Sequence, residues 1–500
     1  MLDYLEHLAL ELKENHWIYL ILIIYIIILT VLILNHEPWF DESNPWLMAR
    51  DGDILDIFTK YLRYEGFPGL WYLILIIPAK LNLPFLCLNL ISGLIATVSA
   101  FIILRYSPFP PFFKILIPFS YFLFYQYAVV SRTYVLIPFF LFLLAKHERK
   151  KNEKVFLYAF LLGLLANTSA HGFIISGALS LIFARDLLLK KVVWQKRLKQ
   201  IKALVLIGFF LFIAFLQVYP IPQDKIPHRD LNFSLQSFIQ QSPQIINDSL
   251  TENMYVSLLT LAVLLVWMHK KKLLLEFLLP TGSLLLFFSF GIYKPWHQGI
   301  LFMVLLYVFW IGWGKNDKRK LFKKIKLESL SIAAMTLILF VHIYWAVSVS
   351  ISDYYEPYSG SKEIALFIKD NKIKNKKIFA TGFHSFSILP YFDSNIFDNY
   401  NSGKEYSFFL WSKKKNEMIA QSLDGISYKK PVNIAQYLGN KYDYVILGIK
   451  FHWQKEILKL PGYQFIRIFK GYIFWKDRAL EQDSFSLYKL ENHKILKNES

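Results

Sequence analysis

Residues 17–43 read WIYLILIIYIIILTVLILNHEPWFDES, and this stretch decides the fold. The run Trp17–Leu34 carries no charge, and at about 1.5 Å per residue it nearly spans a hydrocarbon core of about 30 Å. It ends in a proline-punctuated segment and two adjacent carboxylates, Asp41 and Glu42. Acids beside a bilayer cost desolvation energy, so a chain that places two there has a use for them. The residues before the run are acidic rather than basic and no small-residue cleavage site follows it, so the run is expected to stay as a first helix.

The rest of the chain extends that pattern. Its 500 residues are 55% hydrophobic and 18% aromatic, and further uncharged apolar runs recur along it. The expected fold class is a polytopic α-helical membrane protein. A net charge of +19 would fit a nucleic-acid partner, but the Lys and Arg cluster between apolar runs, where the positive-inside rule accounts for them. No nucleic acid is expected. The single cysteine, Cys87, lies in an apolar run and leaves no disulfide framework or Cys-based metal site.

Basic turns set the topology. Lys146–Lys154 holds five Lys and Arg, Arg185–Lys202 seven, Lys270–Lys272 three and Lys315–Lys326 seven, whereas Thr168–His171 holds none and Pro220–Met254 two. That alternation places the four basic turns in the cytoplasm. About eleven crossings follow: 17–34, 86–104, 113–130, 133–145, 155–167, 172–184, 203–219, 255–268, 273–292, 298–313 and 329–347. The N-terminus is then cytoplasmic and residues 1–347 form the membrane core. Parity makes 35–85 one long exterior loop, because the apolar stretch 69–80 is too short to cross and reads as half-inserted. Within this loop 45–60 mixes apolar and acidic residues as a helix lying flat on the membrane does.

Composition changes near Ser348. Ser361–Asp370 has the pattern of an amphipathic helix, and 377–382, 442–448, 463–469, 472–476 and 485–490 read as strands. Residues 348–500 are expected to form an exterior α/β domain.

Several polar groups stand at the exterior ends of these runs. Asp41-Glu42 reads either as a catalytic acid pair or as a solvated cap on the first helix. Glu65, in Tyr64-Glu65-Gly66-Phe67-Pro68-Gly69-Leu70-Trp71-Tyr72, is a further acid among aromatic faces, or a surface charge. Exterior cations are few: Arg132, Lys225, Arg229 and Lys294, apart from those in the first loop. A guanidinium such as Arg132 binds phosphate in a bidentate fashion or snorkels to headgroups. Lys294-Pro295-Trp296-His297-Gln298 pairs cation, indole and imidazole, and His171 sits in a third polar turn; each histidine alone also reads as structural. No Walker A loop, dinucleotide fingerprint or His/Cys metal spacing occurs, and no acid sits in the middle of a span.

Together these residues resemble the C-type (GT-C) glycosyltransferase superfamily, in its protein O-mannosyltransferase and aminoarabinose-transferase branch. Asp41-Glu42 matches the acidic pair that opens the first exterior loop, and Arg132-Thr133-Tyr134 matches an exterior Arg-x-Tyr element. Phe67-Pro68-Gly69-Leu70 is an altered form of a His-Pro-Pro-Leu-like turn, with Phe67 in place of the His and Gly69 in place of the second Pro. The resemblance covers about residues 17–347. It implies an inverting transferase of the cell envelope, which moves a monosaccharide from a polyprenyl-phosphate donor to a lipid, glycan or protein acceptor. Asp41 would be the base and Glu42 its catalytic neighbour; Glu65, Arg132, Tyr134, His171, Lys294 and His297 would contact substrate. No cofactor is implied and no metal is indicated. The implied location is a bacterial cytoplasmic membrane, with the C-terminal domain outside. The rival readings are a lipid or glycan flippase, which needs a polar path across the spans, and a polymerase or ligase of diphosphate-linked glycans, which needs clustered exterior arginines.

Overall fold

The computed structural model describes residues 2–219, 224, 233–313, 321–400, 406–412, 438, 441–449 and 459–491. Lys225, Arg229 and the start of the basic turn Lys315–Lys326 lie outside them. Among the described residues eight helices are long and apolar enough to cross a membrane: His16–Asn35, Cys87–Tyr106, Ala170–Leu188, Trp194–Val218, Met254–Lys271, Leu274–Ile292, Pro295–Trp313 and Leu327–Tyr355. The molecule is therefore a mainly helical polytopic membrane protein with a small C-terminal β region.

The remaining three expected crossings are shorter or irregular. The first of them is a helix Pro111–Leu116, a turn at Pro118 and a π-helical stretch Phe122–Val129. The second is Thr133–Val135 followed by Leu136–His147, and the third is the twelve-residue Val155–Ala166. Pro118 lacks the amide that would continue the helix. Every residue of Phe122–Val129 is buried, and irregular backbone at membrane depth is tolerated where protein surrounds it.

The first loop departs from expectation in one respect. A helix runs Phe40–Asp51, so Asp41 and Glu42 lie in its first turn, where acids favour the positive end of the helix dipole. Trp46, Leu47, Met48 and Ala49 are at most 2% exposed. The helix is thus packed beneath the C-terminal region and does not lie flat on a bilayer. Gly52 ends it, and Asp53 caps the next helical run, Ile54–Glu65, by accepting from the Asp56 amide at 3.1 Å. Leu55 on that second run stays exposed. The apolar helix Leu70–Lys80 follows, with eleven residues.

In the C-terminal region the helix Ser361–Asp370 forms as its pattern predicts. A four-stranded sheet has the order β1 (Ile378–Thr381), β2 (Tyr444–Ile449), β6 (Ser484–Leu490), β3 (Tyr463–Phe469), with β1 and β2 parallel and the rest antiparallel. A separate hairpin pairs β4 (Tyr472–Trp475) with β5 (Arg478–Gln482). One apolar core runs unbroken from the helices through Leu47 and Met48 to Phe386, Phe409 and Leu487.

Candidate active site

The site begins where the first span ends. His36, 4% exposed, has both ring nitrogens engaged: Nδ1 with Asp353 Oδ2 at 2.8 Å and Nε2 with Glu42 Oε2 at 3.1 Å. Tyr125 Oη donates to the same Asp353 oxygen at 2.9 Å. Burial would depress the imidazole pKa, but the two flanking carboxylates outweigh it and push it up to about 10. A histidinium therefore joins the first span, the acid helix Phe40–Asp51 and the last span.

Glu42 is fully buried and continues the grip. Its Oε2 accepts from the Trp39 amide at 3.3 Å, and its Oε1 accepts from the Ser131 amide at 2.6 Å. Asp41, one residue earlier and 24% exposed at its side chain, pairs through Oδ2 with Arg132 Nη2 at 2.9 Å. Two adjacent acids thus hold two adjacent residues of the turn at 131–132. Glu42 anchors the main chain, and Asp41 faces the guanidinium at the open side.

Arg132 is enclosed by rings. Its guanidinium carbon lies 4.9 Å from the Tyr134 centroid, 5.1 Å from Trp296 and 5.9 Å from Trp39. It is 7% exposed, and its Nη1 meets no acceptor among the described residues. Tyr134 Oη meets His297 Nε2 at 3.1 Å, and His297 Nδ1 accepts from the Lys294 amide at 3.1 Å. His171 packs against His297 at a tilt of 49°, with centroids 4.3 Å apart. It is 2% exposed, and neither of its ring nitrogens finds a hydrogen-bond partner among the described residues.

The structure brings Asp41, Glu42, Arg132, Tyr134, His171 and His297 into one cluster, and Lys294 shares the His297 turn. Glu65 stands to one side and accepts from Asn44 Nδ2 at 3.2 Å. Asn44 also pairs both ways with the backbone of Phe409, at 3.1 and 2.7 Å, which fastens the segment 406–412 over the acid helix. Sequence reasoning missed His36, Asp353, Tyr125, Trp39 and the Ser131 amide. The signal that could have found His36 is a lone imidazole between a long apolar run and an acid pair.

Chemically, the cluster offers one half-exposed carboxylate, one buried cation with hydrogen-bonding capacity to spare, and imidazoles in a dry aromatic surround. That combination suits an anionic ligand at Arg132 and a proton acceptor at Asp41. Among the described residues no three His, Cys, Asp or Glu side chains converge as a metal ion would need. An apolar cavity of about 240 Å³ opens between the helices 235–250, 254–271, 274–287 and 298–313, and Leu301 and Leu305 line it one and two turns beyond His297. Compared with models of known families, with curated proteins and with solved structures, the chain matches none.

Proposed function

We propose that this protein is an inverting glycosyltransferase that takes a sugar from a polyprenyl-phosphate donor, with the reaction on the face opposite the basic turns. The observation that carries the reading is the Asp41–Arg132 pair: a half-exposed carboxylate on a buried guanidinium whose Nη1 is unsatisfied. The donor phosphate would take Arg132, with His171 and the Lys294–His297 turn beside it. Asp41, released from its partner, would then accept the hydroxyl proton of the acceptor as that oxygen attacks the anomeric carbon. The bond from the anomeric carbon to the phosphate oxygen breaks, both electrons leave with the phosphate, and the proton rests on Asp41. Exchange of Arg132 between carboxylate and phosphate ties base release to donor binding, which disfavours reaction with water. Glu42 keeps the turn at 131–132 in register. The apolar cavity beyond His297 supports a role in holding part of the prenyl chain.

The test is to incubate purified protein with a panel of polyprenyl-phosphate sugars and measure the polyprenyl phosphate released. Asp41→Asn is expected to lower release per folded molecule by about 10² to 10⁴, the usual range for a general base, with a lowered melting temperature because Arg132 loses its partner. Full release by Asp41→Asn would remove the base assignment.

A further inference from the structure

The β4–β5 hairpin stands apart from the main sheet and drives its turn between the helices. Lys476, at the tip, is completely buried. Its Nζ donates to Asp248 O and Glu252 Oε1, both at 2.7 Å, and to Gln298 Oε1 at 3.2 Å. The ammonium also lies 4.1 Å from the Trp345 centroid on the last span. Its backbone amide donates to Tyr121 Oη at 3.1 Å, and Trp475 packs edge-on to the same ring at 5.5 Å.

Two features mark this lysine. Its φ is +57°, the left-handed conformation that a two-residue turn between Trp475 and Arg478 asks of its first residue. Burial also pulls its pKa down to about 8, against the opposing pull of Glu252 and Asp248, while Arg478 pushes the same way as burial. The fold therefore holds a cation where the cation is disfavoured.

What it touches gives the reason. Gln298 follows His297 directly, and its amide nitrogen donates onward to Tyr293 Oη at 2.6 Å and to Asp248 Oδ2 at 3.3 Å. Tyr127 Oη holds the same turn through Trp296 O at 2.9 Å. The orientation of His297, and so of Tyr134 and His171, depends on how this turn is fixed.

We infer that Lys476 is a positioning residue: the C-terminal hairpin it tips fixes Gln298, and through it the turn that presents His297 to the site. The inference rests on the reading of that turn as part of a donor-phosphate site. It makes the hairpin a component of the site, although no hairpin atom belongs to the Asp41–Arg132 cluster.

The test uses the full-length protein and two variants, Lys476→Met and Gln298→Ala, with Lys476→Arg as the conservative control. Hydrogen exchange at the amides of Trp296, His297 and Gln298 is read against exchange at the basic turn near Lys151. Both variants are expected to raise exchange at the 296–298 amides by about tenfold, leave the basic turn unchanged, and raise donor KM more than they lower kcat. Lys476→Met leaves Glu252, Asp248 O and Gln298 Oε1 short of a donor, so it is expected to melt lower than the wild type. Should it fail to fold, Gln298→Ala decides. Lys476→Arg is expected to restore most of the protection. Unchanged exchange at 296–298 in the folded variants would overturn the proposal. Raised exchange in a protein that releases no lipid from any donor would leave the positioning role standing and remove the transferase reading.

Discussion

The same helical bundle carries a polar cluster at each end, and the two are built differently. At the basic end, Lys151 Nζ donates to Glu148 at 2.6 Å and to Asp186 at 2.9 Å. Tyr158 and Tyr307 both donate to the other Glu148 oxygen, at 2.6 and 3.3 Å. Every polar side-chain atom in that cluster has a partner or reaches solvent. At the other end Arg132 Nη1 and both His171 nitrogens are buried without one. A buried polar atom left unpaired costs about 1–3 kcal/mol, so folded proteins keep few of them. The satisfied cluster does its work in holding helices together. Under the proposed function, the unsatisfied one is left open for the donor phosphate. His297 and Tyr307 share one helix, ten residues or about 15 Å apart, so the contrast lies within a single element.

Five substitutions would break or sharpen this contrast. The widest separation comes from pairing Asp41→Asn with Glu148→Gln. The first is expected to lower transfer by about 10² to 10⁴ per folded molecule, beside a loss of stability because the buried Arg132 loses its carboxylate partner. The second is expected to destabilise the protein by about 3–5 kcal/mol, since it leaves a buried lysine short of its partner, while each folded molecule keeps its activity. Thermal unfolding in detergent, read beside lipid release, checks both. If Glu148→Gln abolished transfer in protein that remains folded, the division of labour would fail.

Next in size is His36. A raised imidazolium pKa stabilises the fold fully below its ordinary value of 6.5, and that contribution is lost as pH climbs through about 10. Melting temperature should therefore fall across that window, and His36→Gln should flatten the fall while lowering stability at neutral pH. A wild-type profile level from pH 6.5 to 10 would contradict the histidinium bridge.

Gly299→Ala is a packing test. A Cβ there would lie 2.3 Å from Phe122 Cδ1 and 2.6 Å from Tyr127 Oη. Overpacking of this kind costs about 1–3 kcal/mol, and it would disturb the hydroxyl that holds Trp296. A lowered melting temperature is expected. The smallest effect on stability, and the most telling in sign, is His171→Phe. Removing two unpaired nitrogens should leave stability equal or raised by about 1 kcal/mol, yet weaken binding of polyprenyl phosphate. If His171→Phe destabilises the fold, the histidine is structural.

Much of this was legible in the chain. Exterior turns rich in polar residues marked one end of the bundle, and all six clustered residues came from them. The amphipathic helix Ser361–Asp370 and the strands β3, β4 and β6 followed from period, and β1 and β2 from short apolar runs. β5 escaped because Arg478-Ala479-Leu480-Glu481-Gln482 has no alternation of apolar and polar residues, its pairing being imposed by β4. The first turn of the helix Phe40–Asp51 went unread because Asp41, Glu42 and Pro45 are turn-like residues, and the rest, within 45–60, read as a helix on the membrane surface; its burial comes from tertiary packing. His36 and Asp353 were invisible for a simpler reason, since 317 residues separate them and each looks like a helix-end polar residue. Lys476 reads only as the last residue of the strand 472–476, and its burial comes from the fold.

The hold of Glu42 on the neighbouring segment is worth following to its genetic consequence. The carboxylate reads an amide proton of the main chain, which every residue but one possesses. Codon 131 is therefore free to drift among small side chains such as Gly or Ala without loosening the clamp, and proline is the one replacement that would cut it outright. Position 42 has no such freedom, because there the side chain itself makes the bond.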